Sequence, residues 1–485
     1  MSSWCAIDFG TSNSAVAIAR PGAQAASLVA VEDGLATMPT AVFYFTDADE
    51  AAHFAGVQRP AGALPRAYGR AAVQAYVEGA GGRLMRSLKS ILGSSLADQA
   101  TDLGEGHAVR YLDAVTGYLR RLRELAEAAC GVTPERAVLG RPVFFVDDDP
   151  ERDARAQATL ERAARAAGFA DVRFQFEPIA AALDFERTAG REQLVLVADI
   201  GGGTSDFSLV RVGPRQRGRV DRRADILASH GVHVAGTDFD RRIELAVVMP
   251  PLGLGARGPA AAGAREVPSA IYHDLATWHL INTCYRPQRV ADVRAMADWY
   301  DDPVPHRRLM HVLDRRLGHD LAARSEAAKI EAGKAGAALI DLSRVEPALV
   351  ATLDEATALR ALDGDLDRIV AAARQTLRLA GLHTEAVDAL YFTGGSTGWP
   401  PLTRRLAAAF PRARPVHGDR LASVARGLGG GSVDGVRPGD AWPASRADWA
   451  STPPACSVAV EAPRGRPKTK GSTLPPSPWT SYRIW

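Results

Sequence analysis

Leu194-Val195-Leu196-Val197-Ala198-Asp199-Ile200, then Gly201-Gly202-Gly203-Thr204-Ser205-Asp206, then Phe207-Ser208-Leu209-Val210-Arg211-Val212 is one continuous run. Two apolar, strand-length segments flank a turn of glycine and small polar residues, which reads as a β-hairpin. The N-terminal stretch repeats it: Trp4-Cys5-Ala6-Ile7-Asp8-Phe9, then Gly10-Thr11-Ser12-Asn13-Ser14, then Ala15-Val16-Ala17-Ile18-Ala19. The order aspartate, apolar residue, glycine recurs as Asp8-Phe9-Gly10 and Asp199-Ile200-Gly201, with small hydroxyl residues after each. Two equivalent hairpins so far apart point to a duplicated lobe rather than a short solenoid repeat.

Between the hairpins, Gly117 to Ala129 has helical periodicity, Ala137 to Val146 reads as a strand through Gly140-Arg141-Pro142, and Pro150 to Gly168 reads as an amphipathic helix ended by its glycine. Phe174-Gln175-Phe176-Glu177 is extended, and Pro178 opens a helix from Ile179 to Arg187, a position where the missing N–H is no loss. Strands alternating with helices predict an α/β architecture. Leu245 to Arg324 is mostly helical, and an α/β pattern returns with the strand Ala389 to Thr393, the turn Gly394-Gly395-Ser396-Thr397 and the helix Pro401 to Phe410. Residues 431–485 hold nine prolines and four of the eight tryptophans without periodicity, and are expected to be a disordered tail.

The 485 residues leave room for two or three domains. With 58 basic against 56 acidic residues the net charge is +2, so neither a nucleic acid nor a membrane surface is expected as a partner. Cys5, Cys130, Cys284 and Cys456 include no CxxC pair and fit neither a zinc site nor a disulfide framework. No signal-like or membrane-length apolar run occurs, so a cytoplasmic location is expected. Lysine stands only at positions 89, 329, 334, 468 and 470, which makes each one worth inspecting.

A glycine-rich turn after a strand lets backbone N–H groups point at a phosphate with no side chain in the way. Gly10 to Asn13 and Gly201 to Thr204 both qualify. One such turn alone is an ordinary hairpin; two, each behind an aspartate, point to phosphate. Asp8 and Asp199 suit the waters of a Mg²⁺ ion, which binds through few carboxylates. Gly394 to Thr397 is a third place of close backbone approach, and Glu177, at a strand-to-helix corner, is the remaining acidic candidate.

Asp8-Phe9-Gly10-Thr11, Phe176-Glu177-Pro178-Ile179-Ala180-Ala181-Ala182, Asp199 to Asp206, Gly236-Thr237-Asp238-Phe239-Asp240 and Thr393 to Thr397 together resemble the ordered signatures of the actin-like ATPase domain of the 70-kDa heat-shock (DnaK) chaperone family. The resemblance covers residues 1 to about 430, and Tyr272 to Asn282 looks like the YegD-like branch. It implies a first lobe at 1–188 with an insert at about 31–105 and a second at 189–430 with an insert at about 241–325, each with a ribonuclease-H-like core, closing on Mg-ATP. Asp8, Gly10, Thr11 and Ser12 would form the first phosphate loop, and Gly201, Gly202, Gly203 and Thr204 the second. Asp8, Glu177 and Asp199 would organise Mg²⁺ and its waters, while Thr204 and Asp206 place the γ-phosphate and attacking water. The adenosine would lie among Gly236, Glu326, Lys329, Gly394, Gly395, Ser396 and Asp419, and the i, i+3 spacing of Glu326 and Lys329 lets them reach one ligand together.

Three departures stand out. The family's γ-phosphate lysine falls at Val73 in Gly69-Arg70-Ala71-Ala72-Val73, so Arg70 or Lys89 is expected to lie within direct or water-bridged reach instead, although the Lys89 segment matches a different, structural position of the family. The adenine-clamping arginine is Ile330 and its companion serine Gly333. No β-sandwich substrate domain or helical lid is expected after the ATPase domain, only the tail. The expected function is a chaperone-type ATPase with slow ATP hydrolysis and an unidentified protein client or co-chaperone. The alternatives are an ATP-sensing module without significant hydrolysis and, further off, a small-molecule kinase or filament-forming protein of the same fold.

Overall fold

The apolar runs around the two glycine turns become the centres of two sheets. A computed structural model describes residues 4–418 and 424–425, apart from 20–25, 147–148, 217–218, 220–221 and 261–263. Asp419 and the 431–485 stretch lie outside the described residues. The first sheet contains β1 (Trp4–Phe9), β2 (Asn13–Ala19), β3 (Ser27–Leu28), β4 (Arg136–Arg141) and β5 (Asp171–Phe176) in the order β5-β4-β1-β2-β3, and Thr37–Pro39 also pairs with β2. The second contains β6 (Gln193–Ile200), β7 (Ser205–Val212), β8 (Ile226–Val232), β9 (Ala389–Thr393) and β10 (Arg414–His417) in the order β8-β7-β6-β9-β10. In each, the strand bearing the aspartate is antiparallel to its hairpin partner and parallel to the strand on its other side. The strand directions therefore repeat as the two hairpins do.

Both central strands are buried on two faces, which is why they read as near-continuous apolar runs. Alternation still separates their neighbours. Ile7 and Phe9 enter a core with Tyr118, Leu119 and Leu122 of the helix Tyr111–Cys130, whereas Ala6 enters one shared with Val195, Val197 and Val210 of the second sheet. Leu196 and Ala198 face a third core with Phe207 and Phe239.

Among the helices are α1 (Gly69–Glu78), α2 (Glu177–Thr188), α3 (Gly236–Ile243) and α4 (Gly318–Ala335). Ile179, Ala180 and Ala181 of α2 pack in the core between the sheets. Ala41–Phe45, Arg66–Tyr68 and Gly82–Arg86 make a separate three-stranded sheet that closes, with α1, on a small core of its own.

Local departures have simple causes. The strand expected to run to Val146 stops at Arg141, because Pro142 has no N–H for the ladder. Glu177, not Ile179, begins α2, with Pro178 in its first turn. The helix Pro150–Ala166 starts where Asp149 accepts the Arg152 N–H at 3.0 Å. Residues 245–324 are mostly short helices, and the hairpin of Ala337–Asp341 with Val350–Asp354 is an element that helix and strand patterning did not single out. No helix of the described residues is long and apolar enough to cross a membrane.

Candidate functional site

The two glycine turns face one another. A Cβ on Gly202 would stand 2.5 Å from Ser12 Oγ, so the turn after Asp199 has no room for a side chain where it meets the Ser12 side chain of the turn after Asp8. Gly10 is needed in its own turn, where a Cβ would overlap the Asn13 carbonyl. Thr40 braces that turn by donating from Oγ1 to the Gly10 carbonyl at 2.8 Å. In the second turn Gly201 N–H donates to Thr204 O at 3.0 Å. The Gly201 carbonyl also accepts from Gly236 N–H at 3.2 Å and Ser396 Oγ at 2.6 Å, and the Gly202 carbonyl from Thr237 N–H and Oγ1, both at 2.8 Å. Gly394 has φ +84° and its missing Cβ leaves room for the Ile200 carbonyl and Asp199 Oδ1. Gly201, Gly202, Gly236, Gly394 and Ser396 thus converge, with Gly203 and Gly395 exposed beside them and Thr11 half-buried in the first turn.

Between the turns lies a cluster of charge. Lys89 Nζ donates to Glu177 Oε1 at 2.6 Å, with only 10% and 13% of the two side chains exposed. Burial alone would lower the Lys89 ammonium, but Glu177, Asp8 and Asp199 together hold it above its ordinary value. Burial and the neighbouring Glu177 raise Asp8 well above the carboxylate range, with Lys89 opposing them. Asp199 is pushed up to about 7 by burial, Asp206 and Glu177, again against Lys89. Thr204 Oγ1 donates to Asp206 Oδ2 at 2.8 Å at the exposed edge. Lys89 arrives on a short 3₁₀ turn, Leu88–Ile91, after Ser87 at φ +55°, a left-handed angle that non-glycine residues adopt rarely.

Of the two candidate cations, then, Lys89 reaches the carboxylates. Arg70 does not: its guanidinium holds Glu32 at 2.7 Å and the Thr37 carbonyl at 3.0 Å. Val73 packs against the small core beneath α1. Glu326 and Lys329 share the helix face that their spacing gives, and both act on Asp240. Lys329 is buried and donates to Asp240 Oδ1 at 2.6 Å, while Glu326 is exposed and lies in the field of Arg86. Ile330 is 41% exposed. A side chain at Gly333 would overlap the Trp399 indole, so no serine fits there without moving it.

A crevice runs on from the cluster between the sheets, lined by Pro142, Glu177, Asp199, Asp206, Ser208, Ser229, His230 and Thr393 among others. Ser208, Ser229 and His230 carried no signal in the sequence, because alternating polar residues in a strand read as its solvated face. Among the described residues no group of three or more His, Cys, Asp or Glu could hold a metal ion directly. Two carboxylates beside a buried ammonium suit a Mg²⁺ ion that keeps its own waters.

Two sheets of matching strand order, with facing glycine turns and a buried acidic cluster between them, define an α/β protein of the actin-like ATPase fold. The family model described as Hsp70 protein matches residues 5–248, about half of the chain, and the chain belongs to that family. It is similar to the chaperone protein HscA homologue of Azoarcus sp., 27% identical over 421 residues that make up 83% of this chain and 53% of that protein. The HscA homologue of Pseudomonas paraeruginosa is 33% identical over 251 residues, 49% of this chain and 36% of that one. The chaperone protein DnaK of Thermotoga neapolitana is 39% identical over 127 residues, 26% and 19% of the two chains. The chain spans about half or less of the length of these relatives.

Proposed function

We infer that this chain is a chaperone-type ATPase of the YegD-like branch that binds Mg-ATP between a first lobe at 1–188 and a second at 189–430 and hydrolyses it slowly. The observation that carries this reading is Lys89 Nζ at 2.6 Å from Glu177 inside the carboxylate cluster, which supplies from residue 89 the cation missing at Val73.

On this reading Gly10 to Ser12 and Gly201 to Gly203 give backbone N–H groups to the phosphates. Asp8 and Asp199 would hold the waters of a Mg²⁺ ion, which would neutralise phosphate charge when bound. Lys89 stabilises the charge on the transferring phosphoryl group, a contribution that depends on its being placed beforehand. Thr204 and Asp206, already hydrogen-bonded, orient the attacking water, and Glu177 fixes the position of Lys89. Lys329 and Ser396 lie toward the nucleoside, where Ile330 and Gly333 leave out the family's clamp. A protein client or co-chaperone would read the closure of the lobes.

A single-turnover assay of phosphate release from Mg-ATP tests the reading. Release is expected from the wild-type chain and none from Asp199→Ala; equal release from both would overturn hydrolysis. Tight ATP binding with no release from either would favour the ATP-sensing module instead.

A further inference from the structure

The two ends of the cleft are furnished differently. At the phosphate end the Lys89 ammonium lies among Glu177, Asp8 and Asp199, beside the two glycine turns. At the nucleoside end the second half of α4 meets the segment from Gly394 to Pro400. A Cβ on Gly333 would stand 2.4 Å from Trp399 Cδ1, 2.6 Å from its Nε1 and 3.4 Å from Pro400 Cδ.

The polar side chains at this second end are already engaged by the protein. Lys329 is buried and holds Asp240 Oδ1 at 2.6 Å, so turning it to a ligand would leave the half-buried Asp240 carboxylate unpaired. Ser396 Oγ donates to the Gly201 carbonyl at 2.6 Å. Glu326 is exposed, and its charge acts on Arg86 and Asp240. The rest of the surface is apolar or bare. Ile330 stands i+4 from Glu326 and i−3 from Gly333, on the same face of α4, and is 41% exposed. Gly395 is exposed and Gly398 half-buried, and neither carries a side chain. The space that a side chain on Gly333 would take is filled by the Trp399 ring, which packs on Phe239 with 5.9 Å between centroids. The Trp399 N–H is buried and has no hydrogen-bond partner among the described residues, so packing holds the ring there.

We propose that the cleft selects its ligand by the phosphate chain and tolerates any base, taking the di- and triphosphates of adenosine, guanosine, cytidine and uridine alike, with the base lying on the surface of Ile330 and Gly398. This rests on the reading of the cleft as a nucleotide site and widens its ligand from ATP to a class. A site separates two ligands strongly when its own buried donors and acceptors go unpaired with the wrong one, whereas an apolar surface separates them weakly. Every base has a π-face to lay on such a surface. The phosphates, the same in all four, then carry the affinity.

Calorimetry of the full chain with Mg²⁺ and ADP, GDP, CDP or UDP measures the selectivity. The four Kd values are expected to fall within about ten-fold of one another. Pyrophosphate is expected to displace ADP, and adenosine at the same concentration to leave it in place. Preference for ADP over the other three by more than that margin overturns base tolerance and leaves the nucleotide reading standing. Displacement of ADP by adenosine and not by pyrophosphate likewise overturns the proposal alone. A chain that binds none of the four nucleotides overturns the nucleotide reading and base tolerance with it. Ile330→Arg, at an exposed position, offers the base a guanidinium plane that stacks better on a purine, and is expected to raise the preference for ADP over CDP by about five-fold. An unchanged ratio in that variant overturns the place given to Ile330 beneath the base.

Discussion

Lys89 reaches the carboxylates because Ser87 turns the chain through a left-handed angle and starts a short 3₁₀ turn, so the side chain is delivered by backbone geometry rather than by a recognisable motif. Val73, at the position the family resemblance assigns to the lysine, points into a core. Lys89→Ala is therefore expected to lower kcat by about 100-fold or more, as for other losses of a preplaced charge, and adding Val73→Lys is expected not to restore it. Recovery of phosphate release in that double variant would show that position 73 still addresses the site. Asp199 makes a second prediction. Its folded value, about 7, lies above the ordinary 3.8, so the native state holds a proton that the unfolded chain releases between about pH 4 and pH 7. The stability this proton contributes is full below that window and is lost as pH rises through 7. Ligand-free Asp199→Asn should melt higher than wild type at pH 8 by roughly a few degrees, and the gap should shrink toward pH 5. A gap that widens on acidification would give the opposite sign.

The glycine turns are the elements on which both fold and site depend, and two of their glycines separate those roles. Gly394 has φ +84° and no room for a Cβ beside the Ile200 carbonyl. Gly394→Ala is expected to destabilise the chain by about 1–3 kcal/mol. Gly203 has open space where a Cβ would go, so Gly203→Ala should leave the denaturation midpoint unchanged. If this turn cradles phosphates, that methyl crowds them, and calorimetry should show ATP affinity weakened about ten-fold. Unchanged affinity would remove Gly203 from the phosphate loop. These turns were legible because Asp-x-Gly between two apolar runs combines a strand period with a turn composition, and the repeat doubled the signal. The ends of elements were less so: the apolar pattern of the strand Arg136–Arg141 runs on past Pro142 to Val146, although a proline breaks the ladder. Side-chain destinations were least legible. The spacing of Glu326 and Lys329 placed both on one helix face, but whether Lys329 turns to a ligand or to Asp240 depends on a residue 89 positions away.

At the scale of the molecule, α2 joins the site to an anchor between the two halves of the chain. Its first residue, Glu177, holds Lys89. Near its other end Glu186 accepts two bonds from the Arg222 guanidinium, at 2.9 and 3.0 Å, and the Gly213 N–H at 3.0 Å. Arg222 Nε also donates to Asp225 at 2.6 Å, and all three side chains are almost fully buried. Gly213 and Arg222 lie on the connection from β7 to β8, so this network fastens a helix that follows the first sheet to a loop of the second. Replacing buried charges together is often tolerated, while removing one partner strands the others. Arg222→Met withdraws the guanidinium from two buried carboxylates and is expected to lower the unfolding free energy by about 3–5 kcal/mol. Adding Glu186→Gln and Asp225→Asn, which remove the stranded charges, should recover a large part of it. Urea unfolding of the single and triple variants measures both values. If Arg222→Met unfolds at the wild-type midpoint, the network does not fasten the halves; if the triple variant is no more stable than the single one, the loss comes from packing rather than from buried charge.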